Sequence, residues 1–213
     1  MRSFIICSLL FMFILVIMSI KTKESFSRQQ NHFLAIICRI RNEHFMMQTF
    51  IPYYLSQGVD KIYLIDDNSD FPYDNNLIQN EKVQFIQGSL ARKTGNEMAD
   101  ANRIYQQIRP FTKWVMVIDA DEFIYTKKHT TIRSCLETEF KHTDCVFIPW
   151  VMFSFEQREK DGSDIIIDYL LRWNHDKKHP HPNKNAKNRC RYEQIECKSI
   201  FKSNAYMLSL IHI

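Results

Sequence analysis

Apolar runs alternate with amphipathic segments along the first two thirds of the chain, and this pattern predicts strands and helices in turn. Each apolar run is rich in strand formers, and each amphipathic segment carries its apolar residues at helical spacing. We predict strands at Phe33–Ile40, Lys61–Ile65, Val83–Ile86 and Trp114–Ile118, with helices at Met46–Leu55 and Glu97–Ile108. Strands that alternate with helices form a mostly parallel sheet covered on both faces. The pattern therefore predicts an α/β fold.

The later part of the chain predicts one more helix and further strands. A helix is expected over Ile132–Phe140, with Thr130 or Thr131 as its N-terminal cap. The run Cys145–Phe155 predicts a strand, and Pro149 within it favours the edge of a sheet or a bulge. Ile165–Trp173 is apolar enough to be ordered, and Ser199–Ile213 alternates weakly.

The amino end differs in composition from the rest of the chain. Ser3–Ile20 contains no charged residue and is just long enough to cross a bilayer as a helix. No small-residue cleavage site follows it, so we predict an uncleaved transmembrane signal-anchor over residues 1–20. A short polar stem over residues 21–32 and one domain over residues 33–213 complete the predicted organisation. The charges that flank the anchor leave its orientation open.

Charge and cysteine spacing exclude some classes of function. The formal net charge is +4 and no Lys/Arg block is dense, so we expect no nucleic-acid partner. The cysteines show no CxxC spacing, which argues against a structural zinc site. Cys190 and Cys197 could form a disulfide in an oxidising lumen, although their spacing alone does not decide this.

Three carboxylates follow the strand predicted at Trp114–Ile118. Asp119, Asp121 and Glu122 would repel one another at a dry strand end unless a cation offset their charge. A hard divalent ion that prefers oxygen ligands, Mn²⁺ or Mg²⁺, fits such a cluster. If the strand continues, Asp119 and Asp121 leave it on one face and Glu122 on the other, which makes Glu122 a supporting residue.

Polar triplets end three of the predicted strands, and the carboxyl ends of parallel strands meet at one edge of the sheet, where ligands bind. The triplets are Arg41-Asn42-Glu43, Asp66-Asp67-Asn68 and Asp119-Ala120-Asp121. Together with Gly58-Val59-Asp60, Glu122-Phe123, Ile148-Pro149-Trp150 and Lys198-Ser199-Ile200, they occur in a characteristic order. In this order the chain resembles nucleotide-sugar glycosyltransferases of the GT-A type, specifically the family 92 and family-2-like groups, over roughly residues 33–212.

The resemblance implies a Rossmann-like GT-A domain that transfers a sugar from a UDP-sugar to a glycan or glycoconjugate acceptor, with inversion. It implies a type II, single-pass membrane protein of the Golgi or secretory pathway. It also implies that Asp119 and Asp121 hold Mn²⁺ or Mg²⁺ against the donor diphosphate, and that Asp67 or its neighbours contact the base or ribose. The residues expected around the donor are Asn42, Glu43, Asp66, Asp67 and Asp119.

Four further residues are candidates for the same site. Arg92 and Lys93 could add positive charge near the diphosphate. Glu156 is the first candidate for the base that takes the acceptor proton, with Asp161, Asp164 and Asp168 as alternatives. By family likeness His212 is a candidate metal ligand, although Leu208–Ile213 also reads as a translated sequencing adapter.

Two other functions compete with sugar transfer. Haloacid-dehalogenase-like phosphatases also carry Asp-x-Asp after a strand, with the first Asp as nucleophile. In that class the motif closes the first strand, whereas here it follows the fourth and precedes Glu122-Phe123. The second alternative is a truncated domain that binds a sugar nucleotide or a protein partner without turnover.

Overall fold

The computed structural model describes residues 32–89, 98–151, 153–154, 171–172 and 197–205. The helices are α1 (His44–Ser56), α2 (Asn75–Ile78), α3 (Ala99–Ile108) and α4 (Ile132–Thr138). The strands are β1 (His32–Ile40), β2 (Lys61–Asp66), β3 (Val83–Gln87), β4 (Thr112–Val117), β5 (Cys145–Pro149), β6 (Phe153–Ser154), β7 (Leu171–Arg172) and β8 (Cys197–Lys202). The alternation of strands and helices predicted from the sequence is confirmed.

A six-stranded sheet in the order β3-β2-β1-β4-β8-β5 forms the centre of the described fold. Strands β1 to β4 are parallel to one another. Strand β8 inserts antiparallel between β4 and β5, which makes the sheet mixed but mostly parallel. Strands β6 and β7 pair separately as a short antiparallel ribbon. The prediction of a mostly parallel α/β sheet is therefore confirmed.

Helices cover both faces of this sheet. On one face, α1 and α4 pack against the side chains that β1 and β4 present there, such as Leu34 and Trp114. On the other face, α3 packs against the alternate residues, such as Ala35 and Val115. Side chains of β4 are fully buried on both faces, as its unbroken apolar sequence predicts.

Helix α1 contains Pro52 without a break in the helix. The helix ends at Ser56, and Gly58 follows with φ of +84°, a left-handed conformation that favours glycine. A Cβ atom at Gly58 would lie 2.6 Å from Cβ of Arg133, so the glycine also lets α4 approach closely. Gly58 thus serves both the end of α1 and the packing of α4.

Asp60 ties three elements together at the amino edge of the sheet. Its Oδ2 accepts hydrogen bonds from the backbone N–H groups of Phe33 at 2.7 Å and Leu34 at 3.0 Å. Its Oδ1 accepts one from Nη1 of Arg133 in α4 at 2.8 Å. Because this edge lies opposite the carboxyl ends of β1 and β2, Asp60 has a structural role.

Several predicted boundaries differ from the structure. The strand predicted over Cys145–Phe155 ends at Pro149, and Phe153–Ser154 belongs to a different sheet. Pro149 lies on an edge strand, as its missing N–H predicts. Thr131 is the α4 cap, since its hydroxyl accepts a hydrogen bond from the Ser134 N–H at 3.0 Å.

The predicted anchor and residues 21–31 of the predicted stem lie outside the described residues, so both stay predictions, while His32, the last residue of that stem, begins β1. Within the ranges that the structure describes, no helix has the length and apolar character needed to span a membrane.

Candidate functional site

The segment after β4 turns back on itself, which corrects the strand geometry expected from the sequence. Strand β4 ends at Val117, and the Glu122 N–H donates to the carbonyl of Asp119 at 3.2 Å. In return, Oε2 of Glu122 accepts a hydrogen bond from the Asp119 N–H at 3.0 Å. Since the strand does not continue, Glu122 does not lie on the opposite face from Asp119 as a strand residue would, and the predicted geometry is wrong. Glu122 supports the turn that presents Asp119.

A lysine from β8 completes this turn. Nζ of Lys198 lies 2.7 Å from Oδ2 of Asp119 and 3.1 Å from Oε1 of Glu122. Burial raises the pKa of Glu122, against the opposing effects of the Asp119 N–H and Lys198. Burial alone would lower the pKa of Lys198, but the hydrogen bond to Asp119 and the charge of Glu122 outweigh it and raise this pKa. The ammonium group thus balances two carboxylates.

The loops after β1 and β2 are linked to each other by side chains. The Asn42 side-chain amide donates to Oδ2 of Asp70 at 2.7 Å and accepts from the Asp70 N–H at 2.8 Å. Asn42 has φ of 58°, in the left-handed region where asparagine is favoured. Oγ of Ser69 donates to Oδ1 of Asp66 at 2.6 Å and accepts from the Asn42 N–H at 2.9 Å. These contacts fix the two loops beside the carboxyl end of β4.

Two acidic side chains from these loops face the turn after β4. Asp67 is only 8% exposed, and its carboxylate has no hydrogen-bond partner among the described residues. Its backbone N–H donates to the carbonyl of Ile40 at 2.8 Å, which holds it at the edge of the sheet. Burial, and then the charge of Asp121, raise the pKa of Glu43. Glu43 and Asp121 therefore lie close enough to repel each other.

A cleft of about 340 Å³ opens between these loops and the turn. Its lining includes four acidic residues and two arginines. The lining residues are Arg39, Ile40, Arg41, Asn42, Glu43, Asp67, Asp119, Ala120 and Asp121. Such a lining can hold a divalent cation by its oxygens and an anionic group by its arginines.

Five of the ten predicted site residues line this cleft, namely Asn42, Glu43, Asp67, Asp119 and Asp121. Asp66 does not, because Ser69 holds its carboxylate within the loop. The other four, Arg92, Lys93, Glu156 and His212, lie outside the described residues. For all ten the functional roles stay predictions.

Sequence reasoning did not assign a role to Lys198, Arg39 or Arg41. Lys198 is 79 residues from Asp119 along the chain, so no local pattern joins them. Arg39 and Arg41 interrupt or end an apolar strand at the same edge as the carboxylates. Their positive charge at the end of an apolar strand was the signal that could have identified them.

Tyr54 of α1 holds the backbone that follows the Asp119–Glu122 turn. Its side chain is fully buried, and its hydroxyl donates to the carbonyl of Glu122 at 2.8 Å. The same hydroxyl accepts a hydrogen bond from the Ile124 N–H at 3.0 Å. One side chain thus satisfies two buried backbone groups of the candidate site.

Tyr54→Phe is therefore expected to lower the free energy of unfolding by about 1–3 kcal/mol, because it leaves both backbone groups without a partner. Urea denaturation followed by circular dichroism measures the loss. Tyr63→Phe is the matched control. Tyr63, on the interior strand β2, is also a buried tyrosine, but no hydrogen bond of its hydroxyl is described. Equal stability of the two variants would contradict the supporting role of Tyr54.

The model of glycosyltransferase family 92 matches residues 37–213. No curated protein sequence matches this chain. One similar solved structure is the crystal structure of 4-diphosphocytidyl-2C-methyl-D-erythritol synthase, which is 10% identical with a TM-score of 0.40. That match covers 80% of this chain and 75% of the other, and at this TM-score it says nothing of function. Since the family model spans most of the sequence, the chain belongs to glycosyltransferase family 92.

Proposed function

We propose that this protein is a metal-dependent glycosyltransferase of the GT-A type that moves a sugar from a UDP-sugar to a hydroxyl of a glycan or glycoconjugate, with inversion. Family membership supports sugar transfer in general. The observation that carries the finer proposal is the cleft in which Asp119 and Asp121 face Asp67 and two arginines at the carboxyl edge of the sheet. Ligands of open α/β sheets bind at this edge.

The donor set of the cleft fits a hard divalent cation. Asp119, Asp121 and Glu43 offer carboxylate oxygens, the ligand type that Mn²⁺ and Mg²⁺ prefer. Burial, and then the charge of Asp121, raise the pKa of Glu43, and a bound cation would relieve the repulsion between the two carboxylates. When bound, the metal would act as a Lewis acid that stabilises the charge of the departing diphosphate.

The remaining cleft residues fit the other parts of a sugar nucleotide. Arg39 and Arg41 lie where guanidinium groups could pair with diphosphate oxygens, a role for which Arg92 and Lys93 also stay candidates. The Asp67 carboxylate, buried and without a described partner, could accept hydrogen bonds from ribose hydroxyls. Glu156 stays the proposed base for the acceptor proton.

A Golgi or secretory location with an amino-terminal anchor is part of the proposal. It rests on the uncharged run Ser3–Ile20 and on the family.

Thermal-shift measurements with a panel of sugar nucleotides, with and without Mn²⁺, test the donor and the metal together. We expect a UDP-sugar to raise the melting temperature of the full chain only when Mn²⁺ is present. UDP binding without turnover on any acceptor would favour the non-catalytic alternative. Release of phosphate from phosphomonoesters, independent of any sugar nucleotide, would favour the phosphatase alternative.

Lys198→Met is expected to tighten binding of Mn²⁺ to the nucleotide-free protein about fifteenfold. The unit charge of a lysine about 5 Å from a divalent ion costs about 1.7 kcal/mol in a water-like dielectric, and the substitution removes that repulsion. The spectrum of free Mn²⁺ in electron paramagnetic resonance titrations measures the affinity.

Lys202→Met on the same strand is the matched control. Lys202 also pairs with an aspartate, since its Nζ lies 3.1 Å from Oδ1 of Asp144, but it lies away from the cleft. The control should bind Mn²⁺ as the wild type does. If both lysine variants changed affinity equally, Lys198 would have no particular relation to the metal site.

A further inference from the structure

A second group of metal-ligating side chains lies outside the cleft, on and beside α4. Nε2 of His129 is 3.1 Å from Oε2 of Glu139. Sγ of Cys135 completes a group in which all three ligand atoms lie within 4.8 Å of one another. His129 and Cys135 are half-buried, while Glu139 lies at the surface. The group therefore combines one nitrogen, one sulfur and one oxygen donor with access from solvent.

The backbone holds the three residues in place. Cys135 lies on α4 and Glu139, four residues later, is its C-terminal cap, so their side chains share one face of the helix. The Glu139 N–H donates to the carbonyl of Cys135 at 2.9 Å, which continues the helical pattern to this residue. His129 precedes the helix, and the Thr126 hydroxyl donates to its carbonyl. The capping box formed by Thr131 and Ser134 fixes the entry to the helix after it.

We propose that His129, Cys135 and Glu139 bind a zinc ion. Zinc is bound tetrahedrally by imidazole, thiolate and carboxylate, and two ligands at about 2.1 Å from it lie about 3.4 Å apart. The distance of 3.1 Å between Nε2 of His129 and Oε2 of Glu139 is close to that value. A small rotation of the Cys135 side chain would bring Sγ to the third ligand position. Three protein ligands leave the fourth position for water.

The charges around the group are compatible with a cation. Burial, and then the charge of Glu139, raise the pKa of the Cys135 thiol, while Lys128 lowers it. Binding therefore releases the thiol proton, and affinity should rise with pH. Arg133, which lies on α4 itself, is committed elsewhere, because it pairs with Asp60 and Glu137.

The position of the group separates it from the proposed donor site. Near the start of α4, the Ile132 N–H donates to Oε1 of Gln57 at 3.3 Å, and Arg133 reaches Asp60 at the amino edge of the sheet. The cleft lies at the opposite, carboxyl edge. A zinc ion here would fasten the segment that follows Asp119–Phe123 to α4. The proposal does not depend on the proposed function.

Cobalt(II) titration of the full chain in detergent tests the site. A bound thiolate gives a sulfur-to-cobalt charge-transfer absorption, which histidines elsewhere in the chain would not produce. We expect the wild type to show this band and zinc to displace it. Cys135→Ser should abolish the band, whereas Cys145→Ser, the control at another half-buried cysteine, should keep it. A band that survives in Cys135→Ser, or a wild type without one, would overturn the proposal.

A second comparison decides the case even if Cys135→Ser fails to fold. Glu139→Gln should weaken zinc binding about tenfold or more, since even partners of metal ligands contribute 10–100-fold to affinity. Glu137→Gln is the control, because Glu137 lies on the same helix but pairs with Arg133 at 3.0 Å. Zinc should also slow alkylation of Cys135, as followed by mass spectrometry. Equal zinc affinity in the two glutamate variants, or alkylation unaffected by zinc, would exclude the site.

Discussion

Replacing Asp119 and Asp121 together by asparagine is expected to lower kcat/KM for sugar transfer by about a thousandfold or more. In the proposed mechanism both carboxylates hold the metal, and loss of one electrostatic contact to a transition state typically costs a hundredfold to a thousandfold. The fold should survive, because Asp121 is exposed and the Asp119 side chain is 66% exposed. Turnover of a UDP-sugar with Mn²⁺ measures the effect, and circular dichroism verifies folding.

Asp144→Asn is the matched control for this double variant. The Asp144 carboxylate is exposed and pairs with Lys202 of β8, much as Asp119 pairs with Lys198. Loss of an exposed ion pair by itself should leave transfer unchanged. Wild-type turnover in the double variant would refute the proposed mechanism, and a comparable loss in the control would show that the effect is not specific to the cleft.

Trp114→Ala is expected to cost about 3–5 kcal/mol of the free energy of unfolding, the largest effect on stability among these variants. Trp114 is fully buried in the middle of β4, within the core on the α1 and α4 face. Truncation removes its apolar contacts and leaves a cavity that the surrounding strands can fill only in part. Urea denaturation measures the change, and a proportional fall in melting temperature should accompany it.

Phe147→Ala is the control for truncation of an aromatic side chain. Phe147 is 65% exposed on the edge strand β5, so its loss should change stability by no more than about 0.5 kcal/mol. Trp114→Phe should cost less than Trp114→Ala, since Nε1 of Trp114 is buried without a partner in the part of the chain described. Equal losses for the two aromatic truncations would contradict the central place of β4 in the core.

Sequence pattern predicted the parallel half of the fold well, because each strand there is a continuous apolar run. The runs at Phe33–Ile40 and Trp114–Ile118 are buried on both faces, and their periodicity leaves little choice of structure. The direction of β8 was not predictable, since Cys197–Lys202 carries no signal for its antiparallel partner. The short helix α2 was also missed, because four residues hold too little periodicity.

Site residues that directly follow a strand could be predicted from the sequence. Contacts between segments that are distant in sequence could not. Asp119 and Asp121 were found because they follow a buried strand directly. The turn that joins Asp119 to Glu122 was missed, since strand periodicity does not reveal where a strand stops. Asn42 has its side chain engaged by Asp70, a contact between loops that local sequence does not encode.

The insertion of β8 between β4 and β5 affects how the chain can fold during its synthesis. Strand β4 is complete by Val117, but β8, its neighbour on one side, is not made until residues 197–202. A nascent chain can pair β1 to β4 during translation while one edge of β4 remains open. Open, hydrophobic strand edges recruit other chains, so premature termination before β8 should favour aggregation. The last described strand thus protects the first four from self-association.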